Sequence, residues 1–374
     1  MIGPGVYVHF AFCKSKCLYC DFNSRPGTRS EQIAYLDALL AEIERTPSLD
    51  AATVYFGGGT PTVFAPRELA RVLHAVTARF VIAPGAEITL EANPGTVDEA
   101  SLRALRKAGF NRLSLGVQSL RDAELALLGR AHDASQARQA VASARAAGFD
   151  NLSLDLIRGL PGQKLEHWQE TLEAAIALEP DHISAYGLSL EDGAPLKEKV
   201  ERGELPRPRG SGSARWVDWT VRRLKRAGYR RYEISNYARP GRESRHNLNY
   251  WRNGEYAGIG AGAWSYRAGV RCRNVADPCE YTRLALGGEE LVCEAEKLGR
   301  ERALGEAIML GLRLTEGIRT DELARRYGID PRQRYADVID RLVKGRLLVD
   351  EQGALRLTSK GLLVQNAVAV EFLQ

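Results

Sequence analysis

The stretch YVHFAFCKSKCLYC, residues 7–20, decides how this chain of 374 residues is interpreted. The stretch begins inside Val6–Phe10, a short run of β-branched and aromatic residues that predicts a strand. Directly after that strand come Cys13, Cys17 and Cys20, in the spacing C-x3-C-x2-C. We therefore expect three thiols on one loop at the carboxyl end of the first strand.

Three thiolates on a short loop can hold one iron–sulfur cluster. A [4Fe–4S] cluster normally has four cysteine ligands, so three of them leave one iron open, as a catalytic metal site keeps a position for substrate. Lys14 and Lys16 are expected to offset part of the negative charge of the cluster. The alternative is a structural zinc site, which would need a fourth ligand, and His9 is the only close candidate.

Strand and helix patterns alternate six times outward from this stretch. The predicted strands are Val6–Phe10, Thr53–Phe56, Glu87–Glu91, Arg112–Gly116, Asn151–Leu156 and His182–Leu188. The predicted helices are Glu31–Arg45, Arg67–Arg79, Val97–Lys107, Ser135–Ala147, Leu165–Leu178 and Arg215–Arg226. The alternation predicts an α/β fold with parallel strands, such as a partial (β/α)6 TIM-like barrel with its active site at the carboxyl strand ends. A doubly wound sheet would give the same alternation.

The pattern changes after about residue 290, which predicts a barrel domain over residues 1–290 and a second module over residues 291–374. The module is expected to contain helices over Lys297–Leu314, Thr320–Tyr327, Arg334–Lys344 and Leu362–Phe372, with a hairpin of Leu347–Asp350 and Leu355–Thr358. Helices followed by a hairpin are typical of a small winged-helix-like module. Its charges are mixed, so a packing or lid role is favoured over DNA binding.

Glycines and polar residues are predicted at the carboxyl ends of the strands. The motif GGGTP, residues 57–61, follows the second strand, and glycines let a backbone approach a ligand closely, although a tight turn is the structural alternative. Glu91, Gln118, Arg130 and Asp155 lie at or after the next strands. A carboxylate in an apolar strand is costly to bury unless it is paired, so we expect these side chains to form one polar ligand-binding ring.

Composition indicates an ordinary globular protein, because 44% of residues are apolar and 26% are charged. The net charge of +5 is too weak for this length to predict nucleic-acid binding. The sequence contains neither a bilayer-spanning apolar run nor the pattern of a secretion signal, so we expect a cytoplasmic protein. Cys272, Cys279 and Cys293 match no cluster motif; ordinary thiols are favoured over a second cluster.

The cysteine spacing after a first strand resembles the radical S-adenosylmethionine (SAM) superfamily. That resemblance implies a [4Fe–4S] cluster on Cys13, Cys17 and Cys20, with SAM bound at the open iron. With YVHF, GGGTP, EANPG, GVQS, GRAH and DLIRGLPGQ, nearly the whole chain resembles the HemN-like branch, related to coproporphyrinogen III dehydrogenase. The cofactor-binding residues that it implies are Tyr7 at the cluster, Tyr19, the SAM contacts Gly58, Gly59, Thr60 and Glu91, and Gln118, Arg130 and Asp155 around the nucleoside and a second SAM.

Two departures favour a paralogous family within that branch. Phe22 stands where the dehydrogenase has a fourth cysteine, and the first predicted strand begins at Val6, without the long extension that precedes it in the dehydrogenase. Both features resemble the HemW family of haem chaperones. The segment HNLNYW, residues 246–251, resembles the H-N-x-x-Y-W motif of that family, in which the histidine is associated with haem. His246 would then be an axial ligand of haem, and a structural histidine is the alternative.

The resemblance implies a haem chaperone that binds a cluster, SAM and haem and passes haem to respiratory membrane proteins. It also implies a homodimer and a peripheral membrane contact, and it leaves open whether SAM is cleaved. The rival is an enzyme that oxidatively decarboxylates the propionates of coproporphyrinogen III. Methyl transfer onto haem and a DNA-binding regulator are weaker alternatives.

Overall fold

Six parallel strands form the centre of the computed structural model, which describes residues 3–208 and 213–373. They are β1 (Gly5–Phe10), β2 (Asp50–Gly58), β3 (Val81–Ala92), β4 (Arg112–Gln118), β5 (Leu152–Arg158) and β6 (His182–Gly187). Each pairs in parallel with the next along the chain. A doubly wound sheet would reverse its strand order, so the predicted partial (β/α)6 barrel is confirmed and the alternative is excluded.

Six main helices follow these strands, close to the predicted ranges. They are α1 (Arg29–Arg45), α2 (Pro66–Arg79), α3 (Glu99–Ala108), α4 (Ala134–Ala146), α5 (Leu165–Ala177) and α6 (Ala214–Arg226). Thr28 begins α1 through a capping box: its hydroxyl accepts from the Glu31 amide, and the Glu31 carboxylate accepts from the Thr28 amide. Shorter helices are Asp122–Leu127, Pro195–Glu201, Arg245–Trp251 and Pro278–Gly287. Within the described ranges, no helix is both long and apolar enough to cross a bilayer.

The two faces of the barrel strands differ in polarity. Val8, Phe10, Val54 and Phe56 are fully buried in the apolar core between strands and helices. The alternate residues of the same strands are polar and point to the inner side of the barrel, which is called the lumen below. From β1 to β3 they are Tyr7, His9, Thr53, Tyr55, Glu87, Thr89 and Glu91. Closed TIM barrels usually fill this interior with branched apolar side chains, so the polar lining sets this barrel apart.

Further strands, most of them antiparallel, extend both edges of the sheet, and the sequence patterns did not predict them. Beyond β1 lies the parallel strand Tyr256–Ile259, followed by Trp264–Arg267, Val270–Asn274 and Val292–Lys297. Beyond β6 lie Asn236–Ala238 and Arg230–Arg231. In the described part of the chain the two outer strands do not pair with each other, so the barrel stays open. A short parallel pair, Phe12–Cys13 with Arg25–Pro26, begins the cysteine loop.

The C-terminal module has its own apolar core, from Leu304 to Phe372. Its helices are Arg300–Gly311, Thr320–Tyr327, Pro331–Arg334, Ala336–Lys344, Ser359–Leu363 and Gln365–Val370, and its sheet contains Ile318–Arg319, Leu348–Glu351 and Ala354–Leu357. The helix predicted over Leu362–Phe372 is wrong as a single element, because Val364 leaves the helical conformation between two short helices. Strand Val292–Lys297 belongs to the large sheet, so the division after residue 290 stays a prediction.

The module packs against the helix Arg245–Trp251 and the segment around Tyr232. The Arg313 guanidinium lies 4.2 Å from the centre of the Trp251 ring. The Thr315 amide donates to the Tyr232 carbonyl at 3.0 Å. These contacts place the module next to the segment HNLNYW.

Candidate functional site

The cysteine loop is held at the carboxyl end of β1 by backbone contacts. Cys13 ends the short strand that pairs with Arg25–Pro26. The Leu18 amide donates to the Leu128 carbonyl at 3.0 Å, and the Cys20 amide donates to the Cys17 carbonyl at 3.2 Å. All six cysteines of the chain are free thiols. The loop therefore presents three thiols from a fixed backbone.

Two of the three sulfurs accept hydrogen bonds from predicted site residues. Thr60 Oγ1 donates to Cys13 Sγ at 3.4 Å, and Arg130 Nη1 donates to Cys17 Sγ at 3.3 Å. Asn93 joins the two donors, because its Nδ2 donates to Thr60 Oγ1 at 2.7 Å and its Oδ1 accepts from Arg130. Hydrogen bonds to ligand sulfurs tune the potential of an iron–sulfur cluster. Asn93 was missed as a site residue, although its position directly after β3 could have indicated it.

The residues present fit a cluster better than a zinc ion. Both ring nitrogens of His9 are engaged, since Nε2 donates to the Asn23 carbonyl at 2.8 Å and Nδ1 accepts from Tyr7 OH at 3.0 Å. No group of three or more Cys, His, Asp or Glu in residues 3–208 and 213–373 converges on a single ion. A zinc site needs such convergence, whereas a cluster distributes its thiolates over separate irons.

Packing inside the protein already requires glycine at the GGGTP motif, whether or not a ligand is bound there. A β-carbon on Gly57 would come within 2.9 Å of Glu91 Oε2, and one on Gly59 would come within 2.7 Å of the Phe10 carbonyl. Gly58 has φ +102, a conformation that side chains other than glycine rarely adopt. The Gly59 amide donates to the Phe10 carbonyl at 2.7 Å. The motif therefore joins β2 to the cysteine loop.

The two predicted carboxylates are buried and hydrogen-bonded. Tyr55 OH donates to Glu91 Oε1 at 2.5 Å. Burial raises the pKa of Glu91 to about 7, even though the Tyr55 hydrogen bond opposes the shift. Asp155 accepts from Ser184 at 2.6 Å and from Ser114 at 2.9 Å, and burial raises its pKa as well. Glu91 can therefore hold or release a proton near neutral pH.

Arg130 and Gln118 carry features of a ligand-binding site. Arg130 Nε is buried without a hydrogen-bond partner in the described structure. Its guanidinium lines a small pocket with Cys17, Thr60 and Asn93. Gln118 has φ +66, a strained conformation that persists only when surroundings enforce it and that is often found at binding sites. These residues fit SAM beside the cysteine loop.

The two predicted tyrosines occupy different places. Tyr19 lies in the cysteine loop, with its hydroxyl 3.5 Å from Arg130 Nη1. Tyr7 lies deeper in the lumen and is connected to the loop through His9. Its ring lies 6.1 Å from that of Tyr55 and 6.4 Å from that of His246.

His246 lies at the opposite, amino end of the lumen. It is 1% exposed, and its ring nitrogens are hydrogen-bonded to Thr53 Oγ1 at 2.8 Å and to Tyr250 OH at 2.9 Å. Burial, with a contribution from Arg112, lowers the pKa of His246 to about 3, so the imidazole is neutral. A neutral imidazole suits haem iron, but ligation requires one of these two hydrogen bonds to break.

The structure thus divides the predicted residues into groups. Those in or near the cysteine loop are Cys13, Cys17, Cys20, Tyr19, Gly58, Gly59, Thr60 and Arg130. Gln118 lies beside Arg130 at Gly116, and Glu91 lies beside Gly57 on the lumen side. Tyr7 and Asp155 lie inside the lumen, and His246 lies at its amino end. Cys279 is exposed and accepts a hydrogen bond from Arg25 at 3.1 Å.

Comparison with known proteins matches residues 7–175 to the radical SAM superfamily and residues 298–364 to the HemN C-terminal domain. The structure of coproporphyrinogen III oxidase (HemN) from Escherichia coli, a radical SAM enzyme, superposes with a TM-score of 0.86 over 99% of this chain and 90% of that one, at 24% identity. At that identity the likeness shows the fold alone. Residues 7–175 therefore belong to a radical SAM domain and residues 298–364 to a HemN-type C-terminal domain.

Similarity in sequence identifies the family within that class. The chain is 39% identical to the haem chaperone HemW of Mycobacterium tuberculosis, over 92% of this chain and 93% of that protein. It is 34% identical to HemW of Lactococcus lactis, over 98% of this chain and 96% of that protein. The chain belongs to the HemW family.

Proposed function

We propose that this protein is a haem chaperone that binds a [4Fe–4S] cluster, SAM and haem, and delivers haem to respiratory haem proteins. The observation that carries the proposal is the similarity to haem chaperones along nearly the whole chain, at 34–39% identity. The cysteine loop with its two sulfur-directed donors, Thr60 and Arg130, supports the cluster part of the proposal.

Cys13, Cys17 and Cys20 would hold the cluster, which supplies electron transfer and an open iron for SAM. The chain itself orients the ligands: Asn93 fixes Thr60 and Arg130, and Arg130 offers a buried N–H to a bound acceptor. Glu91 holds or releases a proton near neutral pH at the wall of the same space.

His246 would bind haem after a local rearrangement at the amino end of the barrel. The supports are its neutral imidazole and the neighbouring rings of Tyr55 and Tyr250, whose centres lie 5.0 Å and 4.7 Å away. The C-terminal module lies against the same helix through Arg313 and Trp251. Haem access would therefore involve movement of the Tyr250 hydroxyl, of the module, or of both.

The acceptor class, a peripheral membrane contact, a cytoplasmic location and a homodimer belong to this proposal through the resemblance alone. Light scattering with and without haem tests the dimer, because a dimer doubles the mass of the single chain. Flotation with anionic vesicles tests the membrane contact.

The function is tested by haem transfer. The reconstituted protein, loaded with one haem, is mixed with haem-depleted membranes that contain respiratory cytochromes, and haem is followed by absorbance after the membranes are pelleted. Haem should leave the protein and appear in the cytochrome fraction. Haem that stays on the protein, or that leaves equally fast when albumin replaces the membranes, contradicts a delivery function.

In the described residues, nothing favours the dehydrogenase alternative over a chaperone. Phe22 occupies the position of the fourth cysteine, and its side chain is 59% exposed at the edge of the cysteine loop.

A further inference from the structure

Arg112 is a buried cation at the amino end of the lumen. It is the first residue of β4, and it shares the lumen face with Ser114, whereas Leu113 and Leu115 on the other face are fully buried in the apolar core. The Arg112 side chain is 2% exposed. The lumen therefore contains a guanidinium that is almost fully removed from bulk water.

Within the described residues, the guanidinium has no hydrogen-bonding partner. Arg112 Nε is buried and unpartnered, and no hydrogen bond or ion pair of this side chain is found in residues 3–208 and 213–373. Buried polar groups without a hydrogen-bonded acceptor are rare in folded proteins. Such a side chain is explained when a ligand supplies the acceptor.

The carboxylates nearest to Arg112 are committed to other donors. The two oxygens of Glu87 accept from the backbone amides of Arg245 and His246, both at 3.0 Å, at the beginning of the helix Arg245–Trp251. Asp155 accepts from Ser114 and Ser184 at 2.9 Å and 2.6 Å. Glu87 and Asp155 keep the pKa of Arg112 raised against the effect of burial, so the guanidinium stays charged.

The surroundings of Arg112 place it near the histidine of HNLNYW. Its charge adds to burial in lowering the pKa of both His182 and His246. His182 is hydrogen-bonded to Ser153 and to Tyr232, each at 2.8 Å, as His246 is to Thr53 and Tyr250. Two neutral, fully bonded histidines thus flank one unpaired cation.

We infer that Arg112 is an anion-binding residue and that it pairs with a carboxylate of the bound ligand. A planar guanidinium matches a carboxylate through two parallel hydrogen bonds, which a lysine or a water molecule does not reproduce. The identity of this carboxylate rests on the proposed function: it is a propionate of haem. The same chemistry could come from a small organic acid, and the experiment separates the two sources.

The first arm compares haem with haem dimethyl ester, in which both propionates are esterified. Binding is titrated by visible absorbance in the reconstituted wild type, Arg112→Gln, Arg112→Lys and Arg245→Gln. Arg245 is the matched control, because its side chain lies at the same end of the barrel but donates outside the lumen, to the Gly85 carbonyl at 2.9 Å. Arg112→Gln should weaken the binding of haem about tenfold or more and leave the binding of the ester unchanged.

The second arm measures thermal unfolding of the haem-free protein with sodium propionate and with sodium chloride at equal ionic strength. Propionate should raise the Tm of the wild type and of Arg245→Gln but not that of Arg112→Gln. Each variant is compared with its own Tm in sodium chloride, so that a change in the stability of the ligand-free protein does not enter the comparison. If Arg112→Gln does not fold, Arg112→Lys replaces it in both measurements, because lysine keeps the charge but lacks the planar pair of donors.

The outcomes are separable from those of the proposed function. Propionate protection that depends on Arg112, with equal binding of haem and ester, supports the anion site and assigns its ligand to a small organic acid. A wild type that binds no haem but is protected by propionate contradicts the haem function and supports Arg112. If neither arm depends on Arg112, or if ester and haem weaken equally, the inference is overturned.

Discussion

The imidazole of His9 occupies the space in which a β-carbon of Gly58 would lie. That carbon would come within 2.4 Å of His9 Cε1. His9 in turn donates to the carbonyl of Asn23, three residues after the last cluster cysteine, at 2.8 Å. One ring therefore connects the glycine motif after β2 to the cysteine loop.

Substitution of Gly58 should disturb the cluster through His9. In Gly58→Ala the new methyl group displaces the ring, and the backbone at φ +102 becomes strained. We expect less than half of the wild-type iron after anaerobic reconstitution, measured as iron and sulfide per chain. Gly299→Ala is the matched control, because a β-carbon there meets nothing within 4 Å. Full iron in Gly58→Ala would show that the His9 contact does not hold the loop.

The cysteines should separate into cluster ligands and ordinary thiols. Cys17→Ser removes a thiol that accepts from Arg130 and should leave no stable [4Fe–4S] cluster, whereas Cys293→Ser should keep about four irons per chain. Absorbance near 400 nm and iron analysis measure both variants. A colourless wild type that retains zinc would contradict the cluster assignment.

Much of the barrel could be predicted because its strands alternate between apolar and polar residues. Val8 and Phe10 on one face and Tyr7 and His9 on the other already distinguish core from lumen in β1. The short antiparallel strands at the two edges carry no such signal. Arg230–Arg231 contains two residues and becomes a strand only by pairing with Asn236–Ala238.

The candidate site was predictable where motifs mark strand ends, and it was not where contacts cross the fold. Thr60 and Arg130 followed from their motifs, but the role of Asn93 depends on a distance between residues far apart in sequence. His246 shows a different limit. Its motif was recognised, and Tyr250 lies one helical turn away in that motif, but the contact with Thr53 joins residues 193 positions apart in the sequence.

Removal of the Tyr250 hydroxyl should make His246 more available to haem. Tyr250→Phe frees His246 from the hydrogen bond of 2.9 Å, and we expect haem to bind several-fold faster, followed by stopped-flow absorbance. Tyr229→Phe is the control, because it also deletes a buried tyrosine hydroxyl, which donates to the Pro180 carbonyl at 2.6 Å. The effect should vanish in the His246→Ala background. An equal acceleration in that background would remove His246 from the haem site.

Glu42 should make stability depend on pH. It is buried among three donors, Tyr281 OH, the Gly260 amide and Asn274 Nδ2, and burial raises its pKa from 4.5 to about 7. Between these values the folded protein holds a proton that the unfolded chain has released. The free energy of unfolding therefore falls by roughly 3 kcal/mol as pH rises from about 4.5 to 7, and stays lower above 7.

Urea unfolding at pH 5 and pH 8 measures this contribution. Glu42→Gln should lose most of the difference in unfolding free energy between the two pH values. Glu44→Gln should keep it, because Glu44 is an exposed residue two positions further along α1. An unchanged difference in Glu42→Gln would mean that other groups set the pH dependence.

The central claim, a haem chaperone on a radical SAM fold, is tested most directly by coproporphyrinogen III turnover. The reconstituted protein is incubated anaerobically with SAM, a reductant and coproporphyrinogen III, and the porphyrins are separated by chromatography after oxidation. The account predicts that coproporphyrin is recovered unchanged while the same preparation binds haem. Conversion of the propionates to vinyl groups over many turnovers would contradict it and identify an oxidative decarboxylase.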